Sequence, residues 1–154
     1  MPLITQGTLV ETSDLYCSKG WTTFKPVITS ANSTAGPSLG AGSIQYGRYI
    51  HIGNVCDYQF TIRPGTGSTS DGSGKYEVSM PVANSTAAAA TVVGASLVYT
   101  STGGYVAGVA RVRSTGGATL KFVTDAGGVD VNKPTAGWWG DGAYLGASVR
   151  YVTT

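Results

Sequence analysis

Apolar and polar residues alternate with a period of two through the middle of the chain, and the alternation stops at glycine-rich punctuation. Between Gly47 and Ile62, the residues Ile50, Ile52, Cys56, Tyr58, Phe60 and Ile62 fall on one face of an extended chain, while Asp57, Gln59 and Thr61 keep the other mostly polar. This spacing predicts one long strand. The stretch from Arg63 to Gly74 holds Pro64, Gly65, Gly67, Gly72 and Gly74 and cannot continue a ladder; Lys75 to Met80 then alternates again until Pro81. The two runs are expected to form a large hairpin.

The same rhythm recurs on both sides. Trp21 to Ser30, Thr91 to Thr100, Tyr105 to Arg113, Ala118 to Thr124 and Ala143 to Thr153 each read as a strand bounded by glycine pairs or Ser-Thr. Asn84-Ser85-Thr86 can cap one helical turn through Ala87 to Ala90, which Thr91, Val92 and Val93 end at once. No solenoid or propeller period occurs. Residues 1–20 form a lead-in whose Leu3, Ile4, Leu9 and Val10 keep no period. The expected architecture is all-β: a jelly-roll-like, two-sheet antiparallel β-sandwich over residues 21–154, preceded by a short N-terminal arm.

Length and composition narrow the function classes. A chain of 154 residues is one domain large enough to bury a core. Charged residues are 12% of it, against about 25% in an average soluble domain, so its polarity comes from Ser, Thr, Asn and glycine. The net charge of +2 is spread over single Lys and Arg residues. That arrangement lacks the basic stripe which neutralises phosphates, so no nucleic-acid partner is expected. No apolar run reaches the roughly 20 residues of a membrane helix. Met1 to Gly7 lacks the regions of a signal peptide, so the chain is expected to be made in the cytoplasm with Cys17 and Cys56 reduced, Cys56 as core packing.

Candidate chemistry is sparse. His51 is the one histidine, lies opposite Ile50 and Ile52, and has no nucleophile elbow on a strand-to-helix turn to serve. It reads as a solvated or interface residue. One histidine and two distant cysteines show no zinc spacing. The acids Glu11, Asp14, Asp57, Asp71, Glu77, Asp125, Asp130 and Asp141 are isolated; Asp71, Asp125 and Asp141 fit turn-forming roles, and no EF-hand ligand spacing surrounds Asp71. Gly72-Ser73-Gly74-Lys75 fails as a phosphate loop because Thr69 stands where the first glycine belongs and Tyr76 follows the lysine. No catalytic residue, cofactor or metal is expected. Aromatic residues remain: Trp21, Trp138, Trp139 and the tyrosines can stack on sugars or anchor an interface, or else Trp21 and one of Trp138 and Trp139 fill the core; adjacent residues of a strand point to opposite faces, so one of Trp138 and Trp139 is expected to face outward.

Several segments, in order, carry a resemblance. Trp21-Thr22-Thr23-Phe24-Lys25-Pro26, then Gly47-Arg48-Tyr49 with Gly53-Asn54-Val55, then Gly72 through Val82, and finally Pro134 through Trp138 and Gly140-Asp141 to Tyr151 resemble β-rich domains of phage virion proteins, in particular C-terminal modules of minor tail proteins and tail fibres from phages of actinobacteria. The resemblance spans Trp21 to Tyr151. It implies a compact, commonly trimeric β-module displayed on a phage particle, and brings no catalytic residues. Only residues 1–20 precede the module here, which suits a small capsid decoration, or cement, protein better than a fibre. What this implies is a homotrimer on the virion surface that bridges subunits of the major capsid protein, with Leu3, Ile4, Leu9 and Val10 of the arm in contact and Tyr16, Trp138 or Trp139 as anchors. The alternative is a host-receptor module in which Trp138 or Tyr144 stacks on a cell-wall glycan.

Overall fold

The computed structural model describes residues 20–31, 36–72, 75–85, 92–112, 119–124 and 139–153. The arm with Leu3, Ile4, Leu9, Val10 and Tyr16, together with Cys17, the helical turn at 87–90, Asp125, Asp130 and Trp138, lies outside them. Among the described residues the chain is all-β: β1 Thr22–Phe24, β2 Ile28–Ala31, β3 Ser38–Ala41, β4 Ile44–Ile52, β5 Val55–Arg63, β6 Thr66–Ser70, β7 Lys75–Ser79, β8 Val92–Tyr99, β9 Tyr105–Val112, β10 Thr119–Thr124 and β11 Tyr144–Val152. Nine strands make one antiparallel sheet in the order β1-β4-β5-β11-β8-β9-β10-β7-β2, and β3 pairs with β6 in a small second sheet.

The two outermost strands of the large sheet, β1 and β2, are three residues apart in sequence. One segment therefore supplies both ends, and the sheet must curl until they meet. The break falls at Lys25-Pro26-Val27, where the buried Pro26 has no N–H to give to a ladder. Val27 fastens the corner: its N–H donates to Ser79 Oγ at 2.8 Å, and Ser79 N donates to Val27 O at 2.9 Å. Across the interior, the Tyr58 hydroxyl on β5 donates to Ser79 O at 3.4 Å and Phe24 meets Tyr58 edge to face at 5.7 Å. The β5 side of the curl thus faces its β7 side.

Alternation decides what is inside. On β5 the residues Cys56, Tyr58, Phe60 and Ile62 are buried, and they meet Leu145, Val149 and Tyr151 of β11, Val98 of β8, Val112 of β9, Leu120 of β10 and Val78 of β7 in one core. Each of the Val, Leu, Ile and Phe side chains among them stabilises the fold by about 1.5–3 kcal/mol relative to an exposed position. The sheet is curled, so its β5 and β7 sides supply this core between them.

Three expectations are corrected. The long strand is two strands, β4 and β5, joined at Gly53-Asn54, with Gly53 at φ 58°. Gly-Asn is a two-residue hairpin signal. The turn pairs Ile52 with Val55 and His51 with Cys56, so Ile50 and Ile52 share the outer face with Val55 and Asp57 and do not join Cys56 inside. The hairpin expected between β5 and β7 does not form either, because β4 and β11 occupy both edges of β5 and β10 and β2 occupy those of β7. Finally, Thr66–Ser70 of the expected turn forms a ladder of its own with β3. That ribbon approaches so closely that a Cβ on Gly65 would lie 1.8 Å from Ala41 O.

Candidate binding face

Pairing registers across β4, β5, β11, β8 and β9 sort the outward side chains into rows. One row is Ile52, Val55 and Val152, an apolar strip in which Ile52 is 52% and Val152 43% exposed. The next places Asp57 between Ile50 and Arg150. Arg150 Nε and Nη2 donate to the two Asp57 carboxylate oxygens at 2.6 and 2.8 Å, and this pairing holds the Asp57 carboxyl below its ordinary value. The third row is Arg48, Gln59, Ser148, Ala95 and Val109; the fourth is Tyr46, Thr61, Gly146, Leu97 and Ala107. Beyond it come Tyr144, Tyr99 and Tyr105 in register.

The third and fourth rows enclose a trough of about 400 Å³ lined by Tyr46, Arg48, Gln59, Thr61, Gly146 and Ser148. Its polar wall is fixed in place. Arg48 Nε and Nη2 both donate to Gln59 Oε1, at 3.1 and 2.9 Å, and the guanidinium stands 4.8 Å from the Trp21 ring centroid. Three of the five guanidinium N–H groups remain after those two bonds. Tyr46 opposite is 52% exposed. The floor is open because Gly146 has no side chain, although a Cβ there would meet nothing nearer than Phe60 O at 3.5 Å. At the end of the face, Tyr99 lies 4.7 Å from Tyr105 and stacks on Tyr144 at 5.5 Å with rings 20° apart. The Tyr144 phenol is raised above its ordinary value, first by desolvation and then by the Tyr105 hydroxyl, so it stays neutral at physiological pH.

The residues singled out by sequence fare differently. Trp139 is 5% exposed and packs on Tyr76 with ring centroids 5.6 Å apart. It fills the core and cannot anchor a partner, while Trp21, for which both the core and a surface role were open, is 42% exposed over Arg48. Asp71 does more than form a turn: its Oδ1 accepts from Trp139 N at 3.0 Å and its carbonyl from the Tyr76 hydroxyl at 2.9 Å. His51 is exposed and bonded through Nε2 to Thr153 Oγ1 at 2.8 Å. Cys56 is a buried free thiol whose pKa burial raises. Gly36-Pro37-Ser38-Leu39-Gly40 has nucleophile-elbow spacing, yet Ser38 opens β3 and donates to Ser68 O at 2.7 Å. Gln59 belongs to the polar half of the alternation, whereas nothing in the sequence marks Tyr46 or Gly146 as site residues; the Gly53-Asn54 turn is the signal that turns Tyr46 outward.

Among the described residues no group of three or more His, Cys, Asp or Glu side chains gathers as a metal site, and no helix is long and apolar enough to cross a membrane. Compared with protein-family models, curated protein sequences and solved structures, the chain matches none.

Proposed function

We propose that the protein is a non-enzymatic phage virion structural protein, a capsid decoration protein that stabilises the shell by bridging coat subunits. One observation carries the docking part of this reading: the outer sheet face holds the exposed Ile52 and Val152 on either side of the half-buried Val55 in one apolar row, with Ile44 and Tyr46 exposed on the same strand as Ile52. Large apolar side chains grouped on a surface mark interaction sites. The phage attribution rests on the ordered segments from Trp21 to Tyr151. In this reading the curled sheet works as a jelly-roll-like sandwich, three copies sit together on the major capsid protein at the virion surface, and the arm of residues 1–20 reaches a neighbouring subunit.

Such a protein acts by mass action, because a ligand that binds only the assembled shell stabilises it at every occupied site. Particles carrying chains without residues 1–15, or with Ile52→Asp and Val152→Asp, are expected to bind less of the protein and release their genome at lower temperature. Unchanged occupancy and unchanged heat resistance in both would sink the proposal. The second reading, a tail-fibre or minor-tail module that binds a host glycan, is favoured by the Gly146 trough. Locating the chain in a density map of the particle separates head from tail.

A further inference from the structure

We propose that the Gly146 trough, continued by the tyrosine row, binds a saccharide; this rests on the receptor-binding reading and supplies its site. The trough suits neither a peptide strand nor a polynucleotide. It lies in mid-sheet, where Thr61 pairs with Gly146 and Gly146 with Leu97, so the main chain is committed to the ladder. A peptide strand finds no edge to extend here. Arg48 is the one cation among the lining residues and is already braced by Gln59. A polynucleotide, which needs a track of cations along its backbone, has no such track here.

The side chains that remain suit a ring carrying hydroxyls. The braced guanidinium and the Gln59 amide offer fixed N–H donors, and the Thr61 and Ser148 hydroxyls both donate and accept. Tyr46 presents a half-exposed ring as an apolar wall against which the C–H face of a sugar can lie. Few precisely aimed polar groups beside an aromatic wall are the usual make-up of a small-ligand site. A glycine inside a strand often marks a bulge, a bend, or the close approach of another backbone or a ligand; Gly146 pairs in regular register on both sides and has ordinary van der Waals space for a Cβ, which leaves the approach of a ligand. Tyr144 is on the same face two residues earlier, roughly 7 Å along the strand. A second sugar unit leaving the trough therefore meets the stacked Tyr144 and Tyr99 rings.

Saturation-transfer NMR on the full chain, with N-acetylglucosamine, galactose, mannose, arabinose and glucuronic acid at millimolar concentration, tests the site, alongside pull-down of the chain by actinobacterial cell walls. We expect at least one sugar to show transfer, and Gly146→Leu and Tyr46→Ala each to reduce it at least tenfold while thermal melting stays cooperative. Transfer and cell-wall retention that persist in both variants would overturn the site and leave the receptor reading standing. Absence of both from the unmodified chain would overturn the two together. Retention that is lost on protease treatment of the walls would identify a protein partner and overturn the saccharide.

Discussion

Gly94 and Gly146 sit in adjacent strands, yet the space around them is opposite in character. A Cβ on Gly94 would lie 2.0 Å from Ser148 O and 2.8 Å from Val149 Cα, both backbone atoms that cannot step aside. Gly94→Ala is therefore expected to cost about 3 kcal/mol in urea unfolding, whereas Gly146→Ala, where a Cβ makes only ordinary van der Waals contacts, should stay within about 0.5 kcal/mol. Equal effects would show that the β8–β11 approach is looser than described. Asp57 gives a second residue-scale prediction. Its pKa is depressed below the ordinary 3.8 by Arg150, so the stability it adds is present above that value and lost as pH falls through the lower folded value. Asp57→Asn should remove this part of the acid sensitivity and leave the remainder of the pH–stability curve in shape, as titrated melting temperatures would reveal. The effect will be small, since both partners are partly solvated.

Among the elements, the β4–β5 hairpin is the one whose turn chemistry is most exposed to test. Gly53 has φ 58° and open space beside it, so the backbone conformation alone sets its tolerance. Gly53→Val should lower stability by roughly 1–2 kcal/mol, and Gly53→Asn by much less, since Asn tolerates the left-handed region; denaturant midpoints for the two should separate in that order. The same turn explains what the sequence concealed. Alternation over 47–62 was legible and its buried half, Cys56 to Ile62, was read correctly, but a two-residue turn reverses the parity of everything before it, which sent Ile50 and Ile52 to the wrong face. β7 to β11 were legible because glycine pairs bracket alternating runs. β3 and β6 were not, because Thr66-Gly67-Ser68-Thr69-Ser70 carries no apolar side chain and Ser38-Leu39-Gly40-Ala41 only one large one, Leu39, which packs against the core while backbone pairing holds the rest. The trough was invisible for a different reason: the β4–β5 hairpin pairs Tyr46 with Thr61, but Gly146 joins them only because β11, distant in sequence, lies beside β5.

For the molecule as a whole, closure of the sheet by Thr22–Ala31 makes the described strands one cooperative unit. Near-ultraviolet dichroism, which senses Trp139 against Tyr76, and far-ultraviolet dichroism are expected to be lost in a single coincident transition; separate midpoints would mean that the β7 side opens independently. The position of β11 has a kinetic consequence. This strand, residues Tyr144–Val152, lies between β5 and β8, and its Arg150 reaches Asp57 across 93 positions of sequence. During synthesis β5 and β8 must wait with bare edges until β11 emerges, so a growing chain spends its time as two incomplete ribbons prone to pairing with other copies. Yield in the host would then be governed less by the final stability of the fold than by how quickly one late strand finds the slot kept for it.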